Sequence, residues 1–232
     1  MERGAYYSRD HALATTSFVR RVYNWMALGL ALTAITSLYT VSSPVMLQLI
    51  FGNPISLIVL IVAQLGIVVA LSAAINRIKS STAVFMFFFY AFLNGLTLSA
   101  IFLVYTKSSI ANVFFTTAGM FAVMSIYGYT TKRDLTSLGS FMMMGLIGII
   151  IASLVNFFFA SPLIYWLITY AGILIFVGLT AYDAQKIKEM AYAGFAGEEM
   201  ERKGAVIGAL RIYLDFINLF LLLLRVFGRR NN

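Results

Sequence analysis

Ala209-Leu-Arg-Ile-Tyr-Leu-Asp-Phe-Ile-Asn-Leu-Phe-Leu-Leu-Leu-Leu-Arg225 is apolar enough to enter a bilayer, yet Asp215 sits in its middle and Arg211 is the nearest charged residue. A carboxylate at the centre of a membrane helix costs about 2.5–3.5 kcal/mol on insertion scales. A segment that served only as an anchor would hold leucine there. The run reads as the last span of a multi-pass protein, with Asp215 turned toward protein or a water-filled path rather than toward lipid.

Working outward, the rest of the chain supports that reading. Of 232 residues, 61% are hydrophobic and only 11% charged, whereas a soluble domain carries about 25% charged residues. Spanning takes about 20 apolar residues, and runs of that length fall at 22–42, 54–75, 82–104, 109–129, 138–159, 162–182 and 205–227. Breakers separate them, among them Ser43-Pro44, Asn53-Pro54 and Ser161-Pro162. The expected fold is an all-α membrane protein of seven transmembrane helices. Its expected organisation is an N-terminal tail over 1–21, polar and unlike a signal peptide, a seven-helix domain over 22–228 and a short tail over 229–232. The absence of cysteine excludes disulfides, thiolate metal sites and cysteine nucleophiles. The net charge of +8 is spread between apolar runs, as orientation signals are, which argues against nucleic acid. With the N-terminus cytoplasmic, only Lys107, Arg225, Arg229 and Arg230 of the 17 basic residues fall outside. Three of those four cluster at the C-terminus, against the orientation rule, and the seventh span is expected to cross regardless.

The acids narrow the search for chemistry. Glu2 and Asp10 lie in the tail, Asp134 between the fourth and fifth spans, and Glu189, Glu198, Glu199 and Glu201 between the sixth and seventh; all read as solvated. Asp183 and Asp215 remain. Asp183 ends the sixth span and has an interfacial reading beside Lys186 and Lys188. Asp215 has structural readings too: a pair with Arg211 one turn earlier, or a hydrogen bond to Asn218 on the same face. Arg77 ends the second span on the same side as Asp183, either as an anchor snorkelling to the headgroups or as a counter-charge for the acids. Two carboxylates brought close cannot both ionise cheaply, and a guanidinium opposes that effect, so such a trio titrates as a group. His11 reads as part of the tail. Met142-Met-Met144 reads as lipid or helix contact, and Gly29, Gly95, Gly119, Gly148, Gly172 and Gly178 as points where helices approach closely.

At the level of motif, 209–228 resembles the C-terminal signature of the Bax-inhibitor family, the transmembrane BAX inhibitor motif proteins. Phe176-Val-Gly-Leu-Thr-Ala-Tyr-Asp-Ala-Gln-Lys-Ile187 is similar to its sixth-helix motif, and Gly128-Tyr-Thr-Thr-Lys-Arg-Asp-Leu135 resembles the family between spans four and five. The resemblance covers nearly the whole chain and points to bacterial members of the cell inner membrane. It implies a central seventh helix wrapped by the other six, and a pH-sensitive calcium leak channel rather than an enzyme. It further implies that Asp183 and Asp215 form a hydrogen-bonded pair closing the path on the cytoplasmic side, with Arg77 as a latch. The expected partners are the bilayer, protons and calcium ions. Calcium enters as permeant ion met by the two aspartates, and no cofactor is expected. An ion-path acid found in the second helix of some members is absent here, and Gln64 is the nearest polar residue.

Other functions share these features. A proton-coupled transporter would show saturable uptake, and a regulatory protein binding other membrane proteins would co-purify with its partner. An intramembrane aspartyl protease would carry Tyr-Asp in one helix and Gly-x-Gly-Asp in the next; Tyr182-Asp183 fits, but Asp215 follows Ile-Tyr-Leu. The depths of the two acids also have to agree. About 20 residues, ~30 Å of helix, precede Asp183 from the outer side, and ~18 Å lies between Asp215 and Phe227. On that count the pair meets only if the seventh helix is displaced inward by ~12 Å or the sixth is strongly tilted.

Overall fold

The computed structural model describes residues 2–231, with side chains from residue 15 onward. Its elements are α1 (Glu2–Ser42), α2 (Pro44–Phe51), α3 (Pro54–Ala74), α4 (Ser80–Leu98), α5 (Ile101–Val104), α6 (Lys107–Thr130), α7 (Thr136–Phe159), α8 (Pro162–Ala193) and α9 (Glu198–Phe227). Among the described residues seven helical segments are long and apolar enough to cross a membrane, in the order expected, and α9 is the most buried of them. The ends are built from ordinary signals. Ser43, Asn53 and Thr106 accept backbone N–H bonds at the starts of α2, α3 and α6, and Pro44, Pro54 and Pro162 open helices where no N–H is needed. Thr136 hydrogen-bonds to Asp134, through its side chain and its N–H, and holds that exposed carboxyl below its usual range. The charged form is the one the fold favours. This contribution is therefore present above the ordinary carboxylate range and fades as pH falls through the lowered one.

The boundaries that differ most from the sequence reading lie at the start of α1 and between α8 and α9. Residues 15–21, expected in a tail, continue α1. Phe18 is 1% exposed, with its ring 4.8 Å from that of Phe195, and Val22 and Met26 continue the same face. Glu2, Asp10 and His11 lie outside the described side chains. At the other end α8 runs past 182 to Ala193, so Asp183 and Glu189 are helical. The expected long loop shrinks to 194–197, where Gly194 (φ 73) and Gly197 (φ 96) take the left-handed turns that glycine allows. Glu198, Glu199 and Glu201 occupy the first turn of α9, at the positive end of its dipole, rather than a solvated loop.

The chain forms two compact units. The first comprises 1–104 and 189–213. Here α4 lies directly on α1: a Cβ at Gly95 would come within 2.6 Å of Thr36 Cβ and 2.7 Å of the Thr33 carbonyl. Hydroxyls tie the seam, with Ser37 donating to the Gly95 carbonyl (2.7 Å) and Thr33 to that of Ala91 (2.8 Å). Thr33 Oγ1 also pairs with Tyr213 OH at 2.7 Å, and the buried Tyr213 ring meets Phe87 and Tyr90 edge-on. Gln64 donates to the Leu93 carbonyl and to Thr97, joining α3 to α4.

In the same unit Ser80 donates through its N–H and its hydroxyl to the two oxygens of Glu199, both at 2.6 Å, so a side chain of α9 caps α4. Glu199→Ala leaves that N–H without its acceptor and lowers the unfolding midpoint in micelles more than Glu198→Ala does. Glu198 only pairs with Arg202 on the exposed face of its own helix. Equal midpoints for the two variants would remove the cap from the account.

The second unit comprises 105–188 and 214–232. Glycines bring its helices onto α8. A Cβ at Gly128 would fall on the Ala181 carbonyl oxygen and one at Gly139 on the Tyr182 ring. Gly178 faces Met142 in the same way, which accounts for the first methionine of that run, while Met143 and Met144 are exposed. Phe216 of α9 packs its ring against Phe114 and Phe121 of α6. Two glycines depart from expectation: among the described residues a Cβ at Gly119 or Gly148 would meet nothing within 4 Å. They lie on open faces and are not helix contacts.

Candidate functional site

Asp215 is 5% exposed on α9, flanked along the helix by buried Tyr213, Phe216 and Leu219. Its burial is what the insertion cost demanded. Asp183 is half-buried on α8, beside Tyr182. Both belong to the second unit, and one close contact sets their relative register. A Cβ at Gly172 would lie 2.8 Å from Leu222 Cδ1, so at that level α8 and α9 touch. From Gly172 to Asp183 is eleven residues, and from Leu222 back to Asp215 is seven. At 3.6 residues per turn each step returns to within ~20° of the same face. On ideal helical steps Asp183 and Asp215 therefore fall close to the stripes of α8 and α9 that carry this contact.

The same register gives their depths. Asp183 lies ~16 Å below the contact and Asp215 ~10 Å below it, a difference of roughly 6 Å, half the displacement that residue counting required. Cβ atoms tilt toward the N-terminus of their own helix. The two helices run in opposite directions at this contact, so the Asp183 and Asp215 side chains lean toward each other's level.

Lys186 reaches Thr136 of α7 (3.4 Å) and lies over the Tyr182 ring, while Lys188 lies over the Tyr129 ring of α6. Arg211 is exposed where Asp215, one turn on, is buried. Asn218 donates to the Leu214 carbonyl (2.8 Å), committing part of its amide to its own helix. Arg77 is exposed in the turn after α3, where its N–H donates to the Ala74 carbonyl, and among the described residues it has no carboxylate partner. It belongs to the first unit and the two acids to the second.

One further polar residue shapes this region without standing out in the sequence. Gln185, two positions after Asp183, accepts from the Leu135 N–H and donates to the Arg133 carbonyl, both at 2.8 Å. It pins the turn between α6 and α7 onto α8 and so fixes the end that carries Asp183. The signal available was a polar, uncharged side chain between Ala184 and Lys186 on what proves to be a buried face. Ser125 of α6, one turn before Gly128, has a buried hydroxyl with no hydrogen-bond partner among the described residues.

Comparison with known proteins agrees with this architecture. The family described as inhibitor of apoptosis-promoting Bax1 matches residues 15–232. The chain is 50% identical over 221 residues to the inner membrane protein YbhL of Escherichia coli K12, with 92% of each chain covered. It is 46% identical over 224 residues to an uncharacterized protein of Borreliella burgdorferi, covering 97% of each. An uncharacterized membrane protein of Streptococcus pyogenes, SpyM3_0260, is 36% identical over 233 residues, covering 96% of this chain and 99% of the relative. With a family match over nearly its full length and seven helices of spanning length, the chain belongs to the Bax-inhibitor family of multi-pass membrane proteins.

Proposed function

We propose that the chain is a pH-sensitive calcium leak pathway of the bacterial inner membrane, gated by Asp183 and Asp215, with the N-terminus in the cytoplasm. The observation that supports this reading is the close approach of Gly172 to Leu222, from which ideal helical steps of eleven and seven residues lead to Asp183 and Asp215. Two carboxylates at close quarters are held together by one shared proton and driven apart when both ionise. Proton occupancy is therefore the variable that sets the gate. Moving the gate from 1:99 to 99:1 takes ~5.5 kcal/mol, so the reading requires two closely balanced arrangements and a site that titrates as a unit.

Carboxylate oxygens are suitable contacts for calcium, which prefers six to eight oxygen ligands when held tightly. Among the described residues no group of three or more His, Cys, Asp or Glu comes together. The pair therefore offers a passing ion two carboxylates and not a cage. The buried Ser125 hydroxyl is a further oxygen in the same unit. Arg77 enters as the latch that favours the closed arrangement. The basic residues between the spans support the cytoplasmic N-terminus.

The test is calcium entry into proteoliposomes across neutral pH. The wild-type chain gives a pH-dependent leak that does not saturate with calcium. Arg77→Ala raises the leak at the pH where the wild type is closed and keeps a pH response. A flux that saturates and is driven by a proton gradient would replace the leak with a proton-coupled transporter, and an Arg77→Ala profile identical to wild type would remove the latch.

A further inference from the structure

Arg225, Arg229 and Arg230 run against the charge pattern expected for a cytoplasmic N-terminus, and the proposed gate assigns them no role. One of them closes a groove. In the second unit a cavity of about 440 Å³ lies along α7, α8 and α9. Its walls include Ile150, Leu154 and Phe157 of α7, all exposed, and its floor includes Ile168 and Phe176 of α8, both buried. Ser153 is a small side chain in its lining. Its α9 edge runs Asn218, Leu221, Leu222, Arg225, spaced as one helical stripe. From Leu146 to Phe157 the groove is ~16 Å long, close to the ~15 Å depth of one leaflet of hydrocarbon.

Charge and ring placement mark which end lies at the headgroups. The Arg225 guanidinium sits 5.4 Å from the Tyr165 ring. Tyr165 meets Trp166, and Trp166 stacks on Tyr170. Tyr and Trp gather at membrane–water interfaces. Among the described residues Arg225 has no carboxylate partner, and the nearest acid on its own helix is Asp215, ~15 Å away along the axis. An apolar slot one leaflet deep, ending in a cation held by an aromatic belt, is complementary to one class of ligand: an apolar chain with a phosphate at its end.

We propose that this groove binds one glycerophospholipid, with an acyl chain between α7 and α9 and the phosphate on Arg225. The guanidinium offers paired donors to phosphate oxygens, which a lysine would not. The site does not depend on the aspartate pair, and its failure would leave the gate untouched.

Native mass spectrometry of the full chain in detergent tests it, with phosphatidylglycerol and with a diacylglycerol of the same tails as probes. The wild type is expected to retain one phosphatidylglycerol and no diacylglycerol. Arg225→Gln should weaken retention about tenfold, the size of one lost charge-assisted hydrogen bond. Ser153→Trp, which fills the groove, should do the same, and Ile58→Trp on the exposed face of α3 should not. Equal retention by all four proteins would mean lipid held anywhere on the apolar surface and would overturn the site. So would a dimer that Ser153→Trp abolishes while lipid retention stays unchanged, since a second copy would then fill the groove. Should a variant fail to fold, the wild type answers alone. A photoactivatable phosphatidylglycerol in membranes is expected to label Leu154, Phe157 and Leu221; equal labelling of the exposed face of α3, around Ile58, overturns the proposal.

Discussion

Asp215→Asn holds the calcium leak near its floor at every pH, and Asp215→Ala holds it near its ceiling. The two substitutions separate a hydrogen-bonded gate from a simple negative charge. The wild-type pair is joined by one shared proton and repels without it. An asparagine amide donates to the remaining carboxylate with no titrating proton, so the contact persists where the wild type would part. Alanine offers no donor and no acceptor, so nothing holds the two stripes together. A hydrogen bond to a charged group is worth ~1.5–3 kcal/mol, so the leaks of the two variants differ by about tenfold or more. Asp183→Asn and Asp183→Ala repeat the result, because the contact is reciprocal. Proteoliposome flux measures it, and a folded Asn variant that moves in the same direction as the Ala variant sinks the gate. A purely electrostatic role predicts that outcome, since both changes remove the same charge.

How far the sequence exposes this arrangement follows from what hydropathy records. It records the apolar length of a helix and not its helical length. The seven spans were legible because proline and polar breaks interrupt runs long enough to cross. The C-terminal end of α8 was not, because Gln185, Lys186, Lys188 and Glu189 continue the helix beyond the apolar stretch. The start of α1 hides in the same way behind Arg20 and Arg21, although Phe18 is buried. Asp215 stood out because burying a carboxylate in an apolar run has a large cost. Which residue it faces could not be read from the sequence. Counting residues from span ends assumes that all spans end in the same plane, and the close approach of Gly172 to Leu222 gives a different register. Arg77 is legible as a basic residue after a span and takes its proposed role from family resemblance alone.

The small-residue rule shows the same limit and leads to the second large effect. Glycines inside spans look alike in sequence, yet Gly148 meets nothing and Gly128 leaves no room for any Cβ. Gly128→Ala is expected to destabilise the protein by ~3 kcal/mol or more, at or above the upper end for overpacking. The obstacle is the Ala181 carbonyl oxygen, part of the backbone of α8. A side chain can swing aside, but a helix carbonyl moves only with its helix. At Gly139 the obstacle is the Tyr182 ring, which has rotamers to use, so Gly139→Ala costs less. Gly148→Ala is neutral or stabilising by up to ~1 kcal/mol, because alanine is the better helix former and nothing stands in its way. Denaturant unfolding in micelles orders the three variants. Relief of the Gly128→Ala clash by moving α6 away from α8 would also shift Asp183, two residues beyond the blocked carbonyl, so this variant loses pH control of the leak along with stability. Gly148→Ala keeps both. If Gly128→Ala unfolds no earlier than Gly148→Ala, the close approach of α6 to α8 is wrong, and with it the packing beside Asp183.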